Sequence, residues 1–419
     1  MLKQTVESPD RARVLNLGGD VRSPVDLGSF RDVLFRHNLK LPLEFEISWD
    51  GTRTYWDGGI ERLLLPGRRM SGFSARLHWL PGQGKSLGRA VVDRMTYFQD
   101  GDELGMQRAK DGRKGYDLFA SEPQPDPLLG DNEGMATLPP PAKFYGFPDL
   151  LRAQYPWLSD NASWQELQFE SLFSRLYYLG PLREDARRVY RWTGSQPSDV
   201  GRRGEFAVDA LLASREWAGS DPSERRGRSA DLEAHVAESL KTLGLIHSFE
   251  VSPLAGASNL FQVWVRRSAK GSKVLLTDVG FGVSQVLPVV TLCHYVPEGS
   301  TVIFEQPEIH LHPSAQSELG SVLTDVAKTR KLQIVIESHS EHLLRRIQRR
   351  IAEETFEAQD AALYFCSLKE NGESRLTALR LDEFGNISNW PEHFFGDEFG
   401  EIAATAQAAL ARKRRVAAG

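Results

Sequence analysis

An acidic residue at the end of an apolar strand is the feature of this sequence closest to chemistry. Residues 301–305 read TVIFE and are followed by Gln306 and Pro307. A strand so rich in β-branched and aromatic residues is buried on both faces of a sheet, and it fixes its last side chain at the sheet's carboxyl edge. A carboxylate there binds Mg²⁺ directly or through water. Glu305 is therefore the candidate magnesium ligand, and the alternative is a buried strand that runs into a surface loop.

Two further motifs flank this strand. Residues 278–290 read DVGFGVSQVLPVV, and residues 333–344 read QIVIESHSEHLL. In the first, Ser284 and two glycines open an apolar helix, and hydroxyl and N–H groups at a helix start suit an anionic phosphate, although such glycines also occur by chance. In the second, His339 follows a strand, where a histidine is more often structural than catalytic. Its place one β-α unit after Glu305 favours the functional interpretation.

In their order and spacing, the three motifs resemble the ABC-type ATPases, in particular the soluble branch of OLD-like, RecF-like and Septu-like AAA proteins of bacterial genome maintenance and phage defence. The resemblance implies ATP and Mg²⁺ as ligands, bound between two head-to-tail subunits. It places residues 281–285 where the family carries its signature LSGGQ, with the glutamine kept and the small-residue pattern kept in part. The nucleotide-binding residues that it implies are Gly282, Ser284, Gln285 and His312.

The same resemblance places Glu305 at the Walker B acid and His339 at the switch histidine, which contacts the γ-phosphate. Gln306 stands where most of the family has the glutamate that polarises the attacking water, and a neutral amide cannot accept a proton. Hydrolysis is therefore expected to be slow. Glu308 takes over as the base if its carboxylate turns into the site, and an interface or loop acid is its alternative role. The candidate catalytic residues are Glu305, Gln306, Glu308 and His339.

Two histidines, His310 and His312, stand at i, i+2 spacing in the stretch that the family uses as its D-loop. That spacing is compatible with a pair of metal ligands, but no cysteine or further ligand pattern accompanies it. A packed turn at a dimer interface is the favoured interpretation.

The phosphate-binding loop GxxxxGK[ST] has no complete copy in the sequence. The nearest string is GQGKS at residues 82–86, and Trp79 stands where its leading glycine is required, so we interpret it as a hairpin turn. The resembling proteins carry the loop near the N-terminus, ahead of text like LKQT, which here begins at residue 2. The resemblance predicts a chain that begins just after the loop, through a misplaced start, a truncation or a real loss, with slow or absent ATPase activity as given.

The composition is that of an ordinary globular protein. A net charge of −5 over 419 residues gives no global basic signature for nucleic acid, although the arginines within residues 345–350 are candidate DNA contacts. Cys293 and Cys366 lie in apolar surroundings without CxxC spacing, which predicts buried reduced thiols and a cytoplasmic location. No apolar segment is long enough to span a bilayer, and the N-terminus lacks the apolar centre of a signal peptide.

The chain divides by pattern. Short β-like runs between turns predict an antiparallel meander over residues 41–119, and prolines over 120–148 predict a linker. Residues 160–183 and 203–243 have helical patterns. After residue 248 strands alternate with helices, which predicts a largely parallel sheet.

The predicted fold class is α/β: a two-lobed ABC-type ATPase with an antiparallel β lobe, a helical insertion and a largely parallel α/β lobe. The predicted domains are the β lobe, the linker with the insertion, the α/β lobe and a C-terminal addition, at residues 1–125, 126–247, 248–370 and 371–419. The addition resembles a short uncharacterised C-terminal domain of the same group.

The function that the resemblance implies is ATP-driven closure of a homodimer or higher oligomer that controls DNA handling or a partner effector nuclease. Anti-phage defence or DNA maintenance is the expected role, and no membrane is involved. The alternative is a non-hydrolysing scaffold or regulatory subunit, since the phosphate loop is missing and Gln306 replaces the usual base.

Overall fold

A computed structural model describes residues 1–19, 23–51, 54–57, 60–63, 69–82, 88–110, 113–121, 137–154, 156–217, 231–256, 259–391, 404–405, 407–410 and 412. The chain forms two compact units, Met1–Leu176 and Tyr177–Gly419. One prediction, the hairpin turn at residues 82–86, lies outside the described residues except for Gly82.

The first unit is built on a five-stranded antiparallel sheet in the order β1-β4-β5-β6-β7. Its strands are β1 (Leu43–Gly51), β4 (Arg69–Leu80), β5 (Arg89–Gln99), β6 (Asp102–Arg108) and β7 (Tyr116–Ala120), and a separate hairpin pairs β2 (Thr54–Asp57) with β3 (Ile60–Leu63). Its helices are α1 (Leu2–Val6), α2 (Asp149–Gln154) and α3 (Pro156–Ser174). The predicted antiparallel meander is confirmed.

A two-residue turn between β5 and β6 shows how the sequence sets this meander. Gln99 pairs with Asp102, so that only Asp100 and Gly101 connect the strands. Their φ angles are 54° and 96°, a left-handed pair that Asp-Gly adopts at low cost and that matches the twist of the flanking strands. Aromatic side chains then fill the core beneath the sheet, including the fully buried Phe73, Tyr97 and Phe169.

The second unit contains a three-stranded sheet in the order β14-β13-β8. Its strands are β8 (Leu176–Leu179), β13 (Thr301–Glu305) and β14 (Gln333–Glu337). Strands β13 and β14 run parallel and are connected by helix α7 (Pro313–Thr329). This strand–helix–strand unit matches the sequence prediction.

Other strands of this unit pair antiparallel. Strand β11 (Leu260–Arg266) lies between β10 (Ser248–Pro253) and β12 (Val274–Leu275) and also pairs with β9 (Tyr190–Arg191), while β15 (Leu363–Leu368) forms a hairpin with β16 (Ser374–Leu379). The fold class is mixed α/β as predicted, with parallel pairing of β13 and β14 and antiparallel pairing in the β9–β12 sheet and the β15–β16 hairpin. Short connections such as the Gly372 turn between β15 and β16 allow only antiparallel neighbours.

The remaining helices are α4 (Ala207–Trp217), α5 (Leu232–Thr242), α6 (Phe281–Tyr295) and α8 (Glu341–Ala352). In α6, twelve of the fifteen residues are buried, so this helix lies inside the unit. In α7 an apolar stripe of Leu319, Val322, Leu323 and Val326 is buried. Within the described part of the chain, no helix is long and apolar enough to cross a membrane.

Two predictions are wrong. The helix predicted over residues 160–183 ends at Ser174, and β8 follows it, because the LYYL run alternates inward and outward side chains in a sheet. Cys293 is buried as predicted, but Cys366 is exposed, because it lies on the uncovered face of the β15–β16 hairpin. Both thiols are free.

Candidate functional site

The parallel strands β13 and β14 end side by side, each with a glutamate. Glu305 and Glu337 are register partners, so their side chains leave the same edge of the sheet. Like charges on neighbouring strands repel each other, and a cation between them relieves that repulsion. Since Mg²⁺ takes one or two carboxylates and completes its shell with water and phosphate oxygens, this donor set fits the ion.

The Glu305 carboxylate has a fixed partner on β8. The Tyr178 hydroxyl donates a hydrogen bond of 3.0 Å to Glu305 Oε1. Burial first, and then this bond to Glu305, raises the pKa of Tyr178 to about 12. The phenol therefore stays protonated at neutral pH and remains a donor to Glu305 Oε1.

A buried arginine holds the backbone at the end of β13. The Arg183 guanidinium donates to the Glu305 carbonyl at 3.0 Å, to the Gln306 carbonyl at 3.0 Å and to the Pro181 carbonyl at 3.1 Å. Only 5% of this residue is exposed. Burial lowers the pKa of Arg183 to about 10, against the opposing influence of Glu308, Tyr178 and Glu305, so the side chain is cationic at neutral pH.

Gln306 occupies an unusual backbone conformation. Its φ is 45°, in the left-handed region that a residue with a Cβ rarely adopts. Its N–H donates to the Glu337 carbonyl at 2.8 Å, while its own carbonyl accepts from Arg183. The strands on both sides therefore hold this turn, and strained turns of this kind occur where side chains are positioned for function.

Glu308 is buried and points toward the loop after β14. Its Oε1 accepts hydrogen bonds from the Ser338 hydroxyl at 2.7 Å and from the His339 backbone N–H at 3.2 Å. The other oxygen, Oε2, is buried and has no hydrogen-bond partner among the described residues. The carboxylate thus turns toward the loop that carries the candidate switch histidine, with one oxygen available as an acceptor.

A chain of hydrogen bonds continues from this loop to the start of α7. Ser340 donates its N–H to the Ser338 hydroxyl at 3.0 Å and its own hydroxyl to Gln316 Oε1 at 2.6 Å. Gln316 Nε2 then donates to the Leu311 carbonyl at 2.9 Å. Ser340 also caps α8 by accepting from the Leu343 N–H. The loops 306–312 and 338–340 are therefore one connected polar network.

The three histidines of the predicted site have different surroundings. The His339 side chain is 80% exposed, with Nε2 at 3.2 Å from a Glu337 oxygen. His312 is the N-cap of α7, where Nδ1 accepts from the Ser314 N–H, and the His310 ring packs edge-on against Phe281 at 4.8 Å. Among the described residues, no group of three or more His, Cys, Asp or Glu is arranged to hold a metal ion. His310, which packs on Phe281, and His312, which caps α7, are therefore consistent with a packed turn.

The start of α6 lies against the 306–312 loop. A Cβ on Gly282 would lie 2.9 Å from the His310 carbonyl oxygen, so glycine permits this close approach. The Ser284 hydroxyl donates back to the Phe281 carbonyl at 2.8 Å. Gln285 is only 3% exposed, and its Nε2 has no partner within the part of the chain described. Gly282 and Ser284 are thus near the loop, whereas the Gln285 amide is inside the unit.

The arginines of α8 are all neutralised locally. Four ion pairs join them to nearby acids: Arg345–Glu341, Arg346–Glu318, Arg349–Glu353 and Arg350–Asp325. Such pairing leaves less free positive charge for contacts with DNA phosphates.

Sequence reasoning missed Tyr178 and Arg183. Both belong to the run LYYLGPLR, which was assigned to the end of a helix. The available signal was Gly180-Pro181 directly after four apolar residues, because a Gly-Pro pair marks a turn and ends regular structure.

The site residues from β13 onward lie in a segment that matches a known family model. Residues 204–345 match the model of an AAA domain described as a putative AbiEii toxin of a Type IV TA system. An AAA domain over this segment is thus supported. Residues 357–404 match a protein family of unknown function, DUF3696. No curated protein matches the chain.

Solved structures with similar folds include heads of SMC proteins. One is an SMC head bound to the C-terminal winged-helix domain of ScpA, with a TM-score of 0.32 and 8% identity over 74% of this chain and 75% of that one. The SMC head of Thermotoga maritima has a TM-score of 0.29 and 7% identity over the same shares. An SMC head from Pyrococcus furiosus, bound to the C-terminal domain of ScpA, has a TM-score of 0.28 and 9% identity over 55% of this chain and 46% of its own.

Proposed function

We propose that this protein is an ABC-type ATPase whose nucleotide and Mg²⁺ lie at the carboxyl edge of β13 and β14. The observation that carries the proposal is the paired strand ends: Glu305 and Glu337 are register partners, and Glu308 is hydrogen-bonded to the loop that carries His339. The AAA family match covers all four residues. The local sequence by itself does not require these three glutamates and His339 to lie at the same edge of a sheet.

Glu305 is the residue proposed to hold Mg²⁺, with Glu337 beside it. When bound, the ion supplies charge neutralisation at the β- and γ-phosphate oxygens of the nucleotide. The exposed imidazole of His339 is proposed to contact the γ-phosphate, while Gly282 and Ser284 at the start of α6 are proposed to contact nucleotide across a subunit interface.

Glu308 is the residue proposed to accept the proton of the attacking water. The Gln306 amide can orient a water but cannot accept its proton. Ser338 and the His339 N–H hold Glu308 Oε1, so the proposed acceptor is Oε2, which is buried in this structure and must become accessible to water when the subunits close. A base displaced from the usual position gives slower turnover, so the proposed activity is a slow ATPase.

At the level of biology, we propose that ATP binding closes two subunits head to tail and thereby controls DNA handling or a partner nuclease in phage defence or DNA maintenance. The matching family is described as a putative AbiEii toxin of a Type IV TA system, and the role in defence or DNA maintenance follows from the resemblance to the OLD-like, RecF-like and Septu-like proteins. A non-hydrolysing scaffold is the second candidate, and Gln306 at the usual base position is the observation that favours it.

The test is the Mg²⁺ dependence of ATP binding. We expect ATP to bind the full chain about tenfold more tightly in Mg²⁺ than in EDTA. Glu305→Gln should remove that difference, because a neutral amide replaces the ligand carboxylate. Glu370→Gln, at an exposed position between β15 and β16, is the matched control and should behave as wild type. Equal affinity in Mg²⁺ and EDTA for the wild type, or no ATP binding at all, contradicts the proposal.

Turnover separates the two candidate functions. Glu308→Gln should retain Mg²⁺-dependent ATP binding and lose the residual phosphate release, because the proposed acceptor oxygen is gone. Phosphate release that Glu308→Gln leaves unchanged removes Glu308 as the base. A wild-type protein that binds Mg²⁺–ATP without any release of phosphate is the scaffold.

A further inference from the structure

We infer that Tyr178 and Arg183 are the positioning residues of the proposed magnesium site: Tyr178 orients the Glu305 carboxylate, and Arg183 fixes the backbone that carries it. This inference rests on the proposed function. Both residues lie outside the segment that matches the AAA family model, which begins at residue 204. They reach the site because β8 is the neighbour of β13 in the sheet.

Tyr178 acts on the side chain of Glu305. A glutamate at a strand end rotates about three bonds, and each rotamer presents a different oxygen to a ligand. The 3.0 Å bond from the Tyr178 hydroxyl engages Oε1, so that Oε2 is the oxygen left for the proposed cation. Because the ring belongs to a strand of the same sheet, it is a rigid donor, and a ligand oxygen that is already oriented loses less entropy when it binds a cation.

Arg183 acts on the main chain of residues 305 and 306. One guanidinium donates to both carbonyls and also to the Pro181 carbonyl in its own turn, so a planar fork spans two segments. A lysine ammonium is a point donor and does not reproduce this geometry. The clamp also holds Gln306 at its φ of 45°, a conformation that persists only where surrounding contacts enforce it.

The charge of Arg183 gives a second reason for its place. Burying a guanidinium is costly, and an apolar side chain would stabilise a turn with less desolvation. Here the cation lies close to Glu308 and Glu305, the acids proposed for catalysis and for the metal. A site that gathers several carboxylates needs a counter-charge before any ligand arrives, and Arg183 supplies it.

A purely structural clamp is the competing explanation, and the metal dependence of ATP binding distinguishes the two. Dissociation constants for ATP are measured in EDTA and in Mg²⁺, and the readout is the constant in EDTA divided by the constant in Mg²⁺. Loss of folded protein or a general loss of affinity changes both constants and leaves the ratio unchanged. Misplacement of Glu305 lowers the ratio, since only the metal-bound complex uses its oriented carboxylate.

The variants are Tyr178→Phe, Arg183→Lys and Arg183→Met in the full chain. Tyr178→Phe should fold normally and reduce the ratio about threefold, the effect of losing one hydrogen bond to a charged group whose carboxylate is still present. Arg183→Met should reduce it further, and Arg183→Lys, which keeps the charge and loses the fork, should not restore it. If Arg183→Met does not fold, the other two variants still decide.

Matched controls lie in the same segment. Arg187→Lys changes an exposed arginine that is paired with Glu184, and Tyr190→Phe removes a hydroxyl that accepts only from the Arg187 N–H among the contacts described. Both should keep the wild-type ratio. Wild-type ratios in Tyr178→Phe and Arg183→Lys, together with loss of metal dependence in Glu305→Gln, overturn this inference alone. A wild-type ratio in Glu305→Gln overturns the proposed function itself.

Discussion

The two units bury different chemistry. The core of the first unit contains a cluster of packed aromatic rings, such as Phe73 against Phe169 at 4.7 Å between centroids. The second unit buries Arg183 and Glu308, which are held by hydrogen bonds to backbone and side chains at one sheet edge. Apolar burial contributes stability in proportion to area, whereas a buried ionic group contributes little net stability and fixes geometry instead. Stability and precision are therefore expected to respond to different substitutions.

The largest expected effect is in the aromatic core. Phe169 is fully buried and packs against several rings, among them Phe73, Tyr145 and Phe173. Phe169→Ala should lower the free energy of unfolding of the first unit by about 4 kcal/mol, measured by denaturant titration, because it removes a large apolar side chain and leaves a cavity. Leu167→Ala on the same helix is the control, since Leu167 is 61% exposed. Equal effects of the two substitutions would break the contrast.

The second expected effect is a loss of stability of the second unit at acidic pH. His294 in α6 is buried against Ser239, with Nε2 at 3.0 Å from the hydroxyl. Burial, and then the charges of His235 and Arg330, lower the pKa of His294 from 6.5 to about 3. The unfolded chain therefore binds a proton between these two values and the folded chain does not. The stability from this group is complete above pH 6.5 and is lost as the pH falls toward 3.

Within that window, His294 should lower the free energy of unfolding by about 1 kcal/mol for each pH unit of acidification. His294→Gln removes the titrating group and retains a polar partner for Ser239, so the unfolding free energy should fall less steeply between pH 6 and 4. His342→Gln, at an exposed position in α8, should retain the wild-type slope. Parallel slopes for wild type and His294→Gln would show that the buried imidazole does not make the second unit sensitive to acid.

The smallest expected effect on stability concerns Gly282 at the start of α6. Gly282→Ala should cost about 1 kcal/mol of unfolding free energy, because its Cβ would lie 2.9 Å from the His310 carbonyl oxygen and the loop must shift. Gly280→Ala is the matched control, since a Cβ there would have nothing within 4 Å. A neutral or stabilising Gly282→Ala would mean that the loop adjusts freely and that the polar edge is less rigid than the aromatic core.

Long apolar periodicities were predictable, and short elements were not. Strand β13 and helices α7 and α8 follow from runs that only one kind of structure satisfies, so the placement of Glu305 and His339 at strand ends was predictable from sequence. Strand β8 has four residues after a long helix, and its identity depends on pairing with β13, which is distant in sequence. Tyr178 and Arg183 were missed for that reason.

Exposure of individual side chains was also beyond sequence reasoning. The sequence places Cys366 in an apolar strand with alternating side chains. Whether the face that carries Cys366 is covered depends on another element. Gln285 was predicted at a nucleotide contact from its place in a motif, and the packing of α6 inside the unit determines that its amide is buried. In both cases local pattern fixes the element, and tertiary packing fixes which face meets solvent.

The burial of α6 on all sides has an evolutionary consequence. Its first turn carries Gly282 and Ser284, and its remaining turns are core. Most substitutions at buried positions are destabilising, so selection for a folded unit and selection for the proposed site fall on the same helix. Lineages of this protein should therefore diverge slowly over residues 281–295 and faster on the solvent face of α8, where exposed charged residues tolerate exchange.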